Sequence, residues 1–246
     1  MRGIVFVFLV TLFFGCQKAE DRQCFKTAGE EIERETVLPS FDKLKVNEHI
    51  EVVLVQDTVD KLILKGGKNL LNFIDVTVDD EGLLELTNTN TCNFLRSYKK
   101  KVNAEIHFKS LINLHFEGTE PLSNKGKLDL DWFTVLIRDG AGPVKLNLAA
   151  QLIDVTVAHG WGDFTLTGNV DKAIYEVRSN GFCDTYGLNV ADSITVVSRT
   201  QGQLKVNSND AHFRAQIETN GNIYYKGTPK SITLNKIGNG ELIDDN

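Results

Sequence analysis

A glycine-centred turn returns at a nearly fixed interval through the second half of this 246-residue chain, and no other feature restricts the fold as tightly. Gly118, Gly140, Gly160, Gly181, Gly202, Gly221 and Gly240 are separated by 22, 20, 21, 21, 19 and 19 residues. The segments around them align: a short β-rich run, a polar pair, the glycine, then another short run. Repeats near 20 residues are the mark of a solenoid, because a unit that short cannot bury its own apolar face and must stack on its neighbours. A parallel coil is therefore expected from Leu111 onward, with Val135, Ile137, Val155, Val157, Tyr175, Val177, Val196 and Ile217 facing inward. The glycines are expected where the chain turns a corner with positive φ. An antiparallel barrel with long hairpins could give a similar interval, but one turn signal per unit in constant register favours the parallel arrangement. The expected fold class is all-β, a parallel β-helix or β-solenoid preceded by a strand-rich N-terminal part.

That first part, residues 36–110, reads as irregular strands. Ile50–Gln56 is a strong strand and Asn69–Ile74 fits a single helical turn. Asp75–Val78 and Leu83–Thr87 flank the turn Asp79–Gly82 as a hairpin. In Val102–Phe108, the residues Val102, Ala104, Ile106 and Phe108 share one face.

Residues 1–15 read as a signal peptide. Arg2 is followed by the uninterrupted apolar run Ile4–Phe14, too short to cross a bilayer as a helix. Phe13-Phe14-Gly15-Cys16 resembles a lipobox, which would make Cys16 the acylated N-terminus; ordinary secretion is the alternative. Residues 16–35 are polar and read as a tether, and the acids Glu20 and Asp21 resemble surface-export signals of some Bacteroidetes lipoproteins. Residues 36–246 form one domain in this reading, with rungs over 111–246. Export places Cys24, Cys92 and Cys183 in an oxidising compartment. A Cys24–Cys92 bridge with Cys183 buried is the expected arrangement, and three reduced thiols the alternative.

The formal charge of −6 becomes −6 − 1 = −7 once Arg2 is removed, which argues against nucleic acid as a partner. The basic run Lys99-Lys100-Lys101 reads as a solvated loop. No nucleophile elbow, zincin motif or phosphate loop occurs, and His49, His107, His115, His159 and His212 are not at metal-ligand spacing. No catalytic residue, metal or cofactor is expected.

The residues just before each turn, Asp139, His159, Asn180, Thr200 and Asn220, would form a column along one edge of a coil, with Arg138, Arg178 and Arg199 beside it. Such a column could hydrogen-bond a sugar chain, although Asn, Asp and Thr also simply favour turns. A polysaccharide lyase would use a similar groove, but Asp139, Asp163 and Asp184 come one per unit. Trp161, between two glycines, either meets a partner or packs on a neighbouring rung; Tyr224, beside Tyr225, is a further contact candidate.

The pieces Cys24-Phe25-Lys26, Cys92-Asn93-Phe94, Gly66-Gly67 with Asn69-Leu70-Leu71, and above all Gly221-Asn222-Ile223-Tyr224-Tyr225 with Gly227 and Pro229 resemble the autotransporter-adhesin head GIN domain family of Bacteroidetes lipoproteins. The resemblance spans Thr36 to the C-terminus. It implies a β-helix-like fold, export to the cell envelope and an adhesive role. Family repeats carry Gly-Ser-Gly-like triplets; here they read Gly140-Ala141-Gly142, Gly160-Trp161-Gly162 and Gly238-Asn239-Gly240. The combined expectation is an outer-membrane lipoprotein that binds a glycan or an envelope protein without catalysis. A lyase-like enzyme and a purely structural component are the alternatives.

Overall fold

The computed structural model describes residues 27–47, 49–90, 101–140 and 142–246. The signal segment, Cys16, Cys24 and Cys92 lie outside the described residues, and so do the expected acylation and disulfide.

Strands dominate. After β1 (Glu31–Val37), β2 (Lys43–Val46), β3 (Ile50–Gln56) and β4 (Lys61–Gly67), the chain makes the single turn α1 (Lys68–Leu71) and the hairpin β5 (Ile74–Val78) and β6 (Leu83–Asn88). β7 (Val102–Phe108), β8 (Asn113–Phe116) and β9 (Leu122–Lys125) lead into four long strands: β10 (Leu128–Ile137), β11 (Val144–Val157), β12 (Asp163–Ser179) and β13 (Phe182–Thr200). The chain continues through β14 (Leu204–Asn207), β15 (His212–Ile217), β16 (Ile223–Lys226), β17 (Ser231–Lys236) and β18 (Leu242–Asp244).

These strands wind as a β-solenoid of about 7 turns, about 20 residues apart. Each long strand bends midway, so its two halves belong to opposite faces of a flattened coil. The second half of β10 pairs in parallel with the second half of β11, while Val144–Leu148 of β11 pairs with Phe164–Gly168 of β12. One edge of the coil carries the glycine turns and the other carries the bends.

The inward positions form columns. Leu114, Val135, Val155, Tyr175, Val196 and Ala215 stand level on successive rungs, and all are buried. All eight inward positions expected from the sequence lie in this core. Each fully buried aliphatic side chain contributes roughly 1.5–3 kcal/mol relative to exposure. The two faces meet through contacts such as Phe164 against Tyr175, with ring centroids 5.5 Å apart.

The coil begins earlier than Leu111. β2 and β3 pair in parallel and in register with β8 and β9. β6 and β7 pair in parallel with the other edges of β2 and β3, so the first rung in sequence is the second in space. The antiparallel pairings are confined to β1, β4 and β5 with their partners, and the parallel pairing of β12 with β13 shifts register between Thr165 and Thr167 and between Val170 and Lys172. β1 also reaches into the segment read as a tether. Its charges are those of an edge strand: Glu33 pairs with Lys65 at 3.1 Å and Glu35 with Lys61 at 3.3 Å, both across to β4.

The glycines serve a different purpose from the one the sequence suggested. Of the seven turn glycines only Gly160 has positive φ. Gly140, Gly202, Gly221 and Gly240 are needed because rungs approach closely at this edge, whereas Gly118 and Gly181 make room for the side chains of Phe116 and Val177. A Cβ on Gly140 would lie 2.7 Å from the Gly118 carbonyl oxygen, one on Gly221 2.4 Å from that of Gly202, and one on Gly240 2.3 Å from that of Gly221. Backbone, not a movable side chain, occupies the space. Cys183 points into the core, and its thiol is pushed up to about 12 by burial.

Candidate functional site

The turn edge holds most of the residues singled out in the sequence, though not as one column. Ser179, not Asn180, stands level with Thr200. The Ser198–Ile217 register then brings Thr219, not Asn220, beside Thr200, whose carbonyl accepts a hydrogen bond from Thr219 Oγ1 at 2.5 Å. Asn220 instead belongs to an amide ladder, accepting from Asn239 Nδ2 at 3.1 Å. The interval between rungs varies from 19 to 22 residues here, and a sequence alignment anchored on the glycines slips by one.

The arginines of this edge are held by carboxylates. Arg138 Nε lies 3.2 Å from Asp139. Arg178 Nε donates to Glu176 at 2.8 Å. Arg199 clasps Glu218 through Nε at 2.7 Å and Nη2 at 2.9 Å, and also pairs with Glu176. This two-pronged clasp holds the Glu218 carboxyl below its ordinary value. Trp161 is 63% exposed, so packing on a neighbouring rung does not cover it. Tyr224 stands on β16, just after the Gly221 turn and level with Lys205, and its hydroxyl accepts from Asn222 Nδ2 at 3.4 Å.

His107 and His115 sit beside carboxylates near the N-terminal end of the coil. His107 is buried between Asp57, 2.8 Å from Nδ1, and Glu105, 3.1 Å from Nε2. The His107 hydrogen bond holds the Asp57 carboxyl below its ordinary value. His115 Nε2 lies 2.9 Å from Glu117. Among the described residues no group of three or more His, Cys, Asp or Glu could hold a metal ion.

The bend edge carries a second surface that reading the turns overlooks. A groove of about 630 Å³ runs across five successive rungs. It begins on each rung at Asp129, Ala149, Asn169, Asn189 and Asn209, spaced by 20 residues each time. The register brings the first four of these level. At the bend an apolar residue turns inward, as Leu130, Val170 and Val190 do, and the residues on either side are thrown outward. Asn189 Nδ2 donates to Asn169 Oδ1 at 3.1 Å, and Asn207 Nδ2 to Asn189 Oδ1 at 3.3 Å. Gln151 Nε2 donates to Asp131 at 3.1 Å. Trp132 follows Asp131 in the chain, is not itself part of the lining, and is 66% exposed. The constant interval of 20 is present in the sequence but masked there, because the residue types at it change.

The geometry defines a parallel β-solenoid with a polar edge on each side and no assembled metal centre among the described residues. A family model described as "Putative auto-transporter adhesin, head GIN domain" matches residues 40–229, and the chain belongs to this family. Solved structures share the architecture. A "putative adhesin" from Bacteroides fragilis is 23% identical over 89% of this chain and 99% of that one, with a TM-score of 0.77. A "putative adhesin" from Parabacteroides distasonis is 18% identical over 89% and 98%, with a TM-score of 0.66. A "putative lipid binding protein" from the same species is 18% identical over 90% and 100%, with a TM-score of 0.64. No curated relative matches the chain.

Proposed function

We propose that this protein is a cell-envelope lipoprotein, fixed to the outer membrane by acyl groups on Cys16. Its coil acts as a non-catalytic, adhesion-type module for a glycan or protein partner. The carrying observation is the exposure of repeated polar side chains and single aromatics, Trp132 and Trp161, on a backbone that parallel pairing holds rigid. Binding at such a surface costs little conformational entropy, because the groups are already in place. Membership of the adhesin family supports the same reading. The lyase alternative calls for a basic residue free to take a proton beside clustered acids, whereas Arg178 and Arg199 are engaged by Glu176 and Glu218. Gly15-Cys16 directly after the apolar run supports the lipid anchor. Several acyl chains hold a protein stably at a bilayer, each buried methylene contributing about 0.8 kcal/mol.

The full chain, expressed in a Gram-negative host with labelled palmitate, is expected to carry label and sediment with outer membranes. Cys16→Ser is expected to lose both. Label retained by the Cys16→Ser chain would sink the anchor assignment. The released mature chain is expected to capture a glycan or a specific envelope protein; capture of neither would sink the binding module.

A further inference from the structure

We infer that the groove along the bend edge is a binding site for an uncharged glycan chain lying along the coil axis, with Trp132 as its aromatic platform. The inference rests on the binding-module reading and gives it a site and a ligand class.

Shape comes first. Rungs of parallel strands repeat about every 4.8 Å, so the four steps between the five rungs that line the groove extend over roughly 19 Å. That suits an extended polymer better than a small molecule enclosed on all sides. The lining keeps the same spacing on every rung and each rung offers at least one carboxylate or amide, so a polymer meets a hydrogen-bonding group at every step.

Chemistry comes second. Asp131, Gln151, Asn169, Asp171, Asn189 and Asp210 supply carboxylate acceptors and amides that both donate and accept. A hydroxyl also donates and accepts, so sugars match this set. The large apolar residues of the groove, Leu130, Val170 and Val190, are turned into the core, and the alanines Ala149, Ala150 and Ala191 offer only methyl groups, so no deep apolar pocket is left for peptide side chains. Trp132 stands beside Asp131 with two thirds of its surface in solvent. A large exposed ring carrying a polar N–H edge next to a row of hydrogen-bonding groups can cover the C–H face of a pyranose while the groove holds its hydroxyls.

Charge selects among glycans. No Lys or Arg lines the groove, whereas Asp129, Asp131, Asp171 and Asp210 do. Lys172, just past the bend, is matched by Asp192 at 3.7 Å. At one end Lys230 Nζ donates to the Ala191 carbonyl at 3.2 Å, a single cation against four carboxylates. A sulfated or uronate chain would meet mostly like charge there, with little to offset its desolvation. The carboxylates do not converge into a cation cage either, since no group of three or more His, Cys, Asp or Glu among the described residues could hold a metal.

The test uses the mature chain carrying Cys16→Ser. A panel of neutral oligosaccharides built from glucose, mannose, galactose or N-acetylglucosamine, six units long, is titrated by calorimetry beside sulfated counterparts. At least one neutral oligomer is expected to bind, with its sulfated form at least tenfold weaker. Trp132→Ala and the double change Asn169→Ala/Asn189→Ala are each expected to weaken binding at least tenfold. These side chains are exposed, so the melting temperature should stay unchanged, and an unchanged melt shows that the loss is local. Ile237→Ala, at an exposed position beside the Gly238 turn, should bind as the parent does. Loss of binding with Trp161→Ala but not Trp132→Ala would overturn the site and leave the binding module standing. Tighter binding of sulfated oligomers would overturn the ligand class. If no oligosaccharide binds while a specific envelope protein is captured, the inference falls and the broader reading survives; if neither binds, both fall.

Discussion

Gly202 lies so close to Gly181 that a methyl group on it would stand 2.1 Å from the Gly181 carbonyl oxygen. The obstacle is backbone, fixed by pairing on the rungs either side, so it cannot swing away. Gly202→Ala is expected to cost about 1–3 kcal/mol, the usual range for forcing an extra carbon into a packed region. Gly126→Ala gives the contrast. Gly126 has positive φ but open space around it, so only the backbone penalty of roughly 1–2 kcal/mol applies. Urea denaturation should show the greater loss of midpoint for Gly202→Ala, with nearby amides losing hydrogen-exchange protection. An unchanged midpoint would contradict the close-approach account.

The Arg199–Glu218 clasp predicts a pH dependence. The Glu218 carboxyl is held below its ordinary value of 4.5, first by the Arg199 hydrogen bond. A depressed folded-state pKa means that the stabilisation is present above 4.5 and is lost as pH falls through the lower folded value. Glu218→Gln should therefore unfold at lower urea than the parent at pH 7, and the gap should close near pH 3. A gap of equal size at both pH values would show that the contact acts through packing and not charge.

Cys183 should be chemically silent in the native protein. Burial raises its thiol to about 12, and the thiolate is the reactive form. Iodoacetamide at pH 8 should leave the peptide containing Cys183 unlabelled until urea is added. Rapid native labelling would mean that the coil opens at this rung.

Core and edge should respond in opposite ways to truncation. Leu204 is fully buried, and Leu204→Ala is expected to lose about 2–5 kcal/mol. Trp161→Ala, at an exposed position, should stay within about 0.5 kcal/mol of the parent. Thermal melts measure both, and a large loss from Trp161→Ala would reveal packing that its exposure does not suggest.

The coil was legible because its physics is local and repeated. Alternation at Val135/Ile137 or Val155/Val157 marks the buried face wherever the strand ends up, and a turn every 20 residues or so leaves few ways to bury it. The polar run Glu31–Val37 was opaque for the opposite reason. An edge strand charged on both sides has the composition of a tether, and only its pairing with Lys61–Gly67 distinguishes them. The two polar edges differed in how visible they were. The residues at the turns stood out by their types, whereas the groove residues share an interval and vary in type. The one-residue slip at Asn180 shows that glycine spacing does not set strand register.

The amino-acid order by itself determined that this protein would be built of short β units stacked in parallel, because a period near 20 leaves each unit too small to shelter its apolar side alone. The tertiary structure decided which residues stand beside one another across rungs, that the first rung lies inside the stack, and that a continuous groove opens along the bends. Those relations join residues twenty or more positions apart, and they are set by how adjacent backbones hydrogen-bond and how closely they approach, which no local pattern encodes.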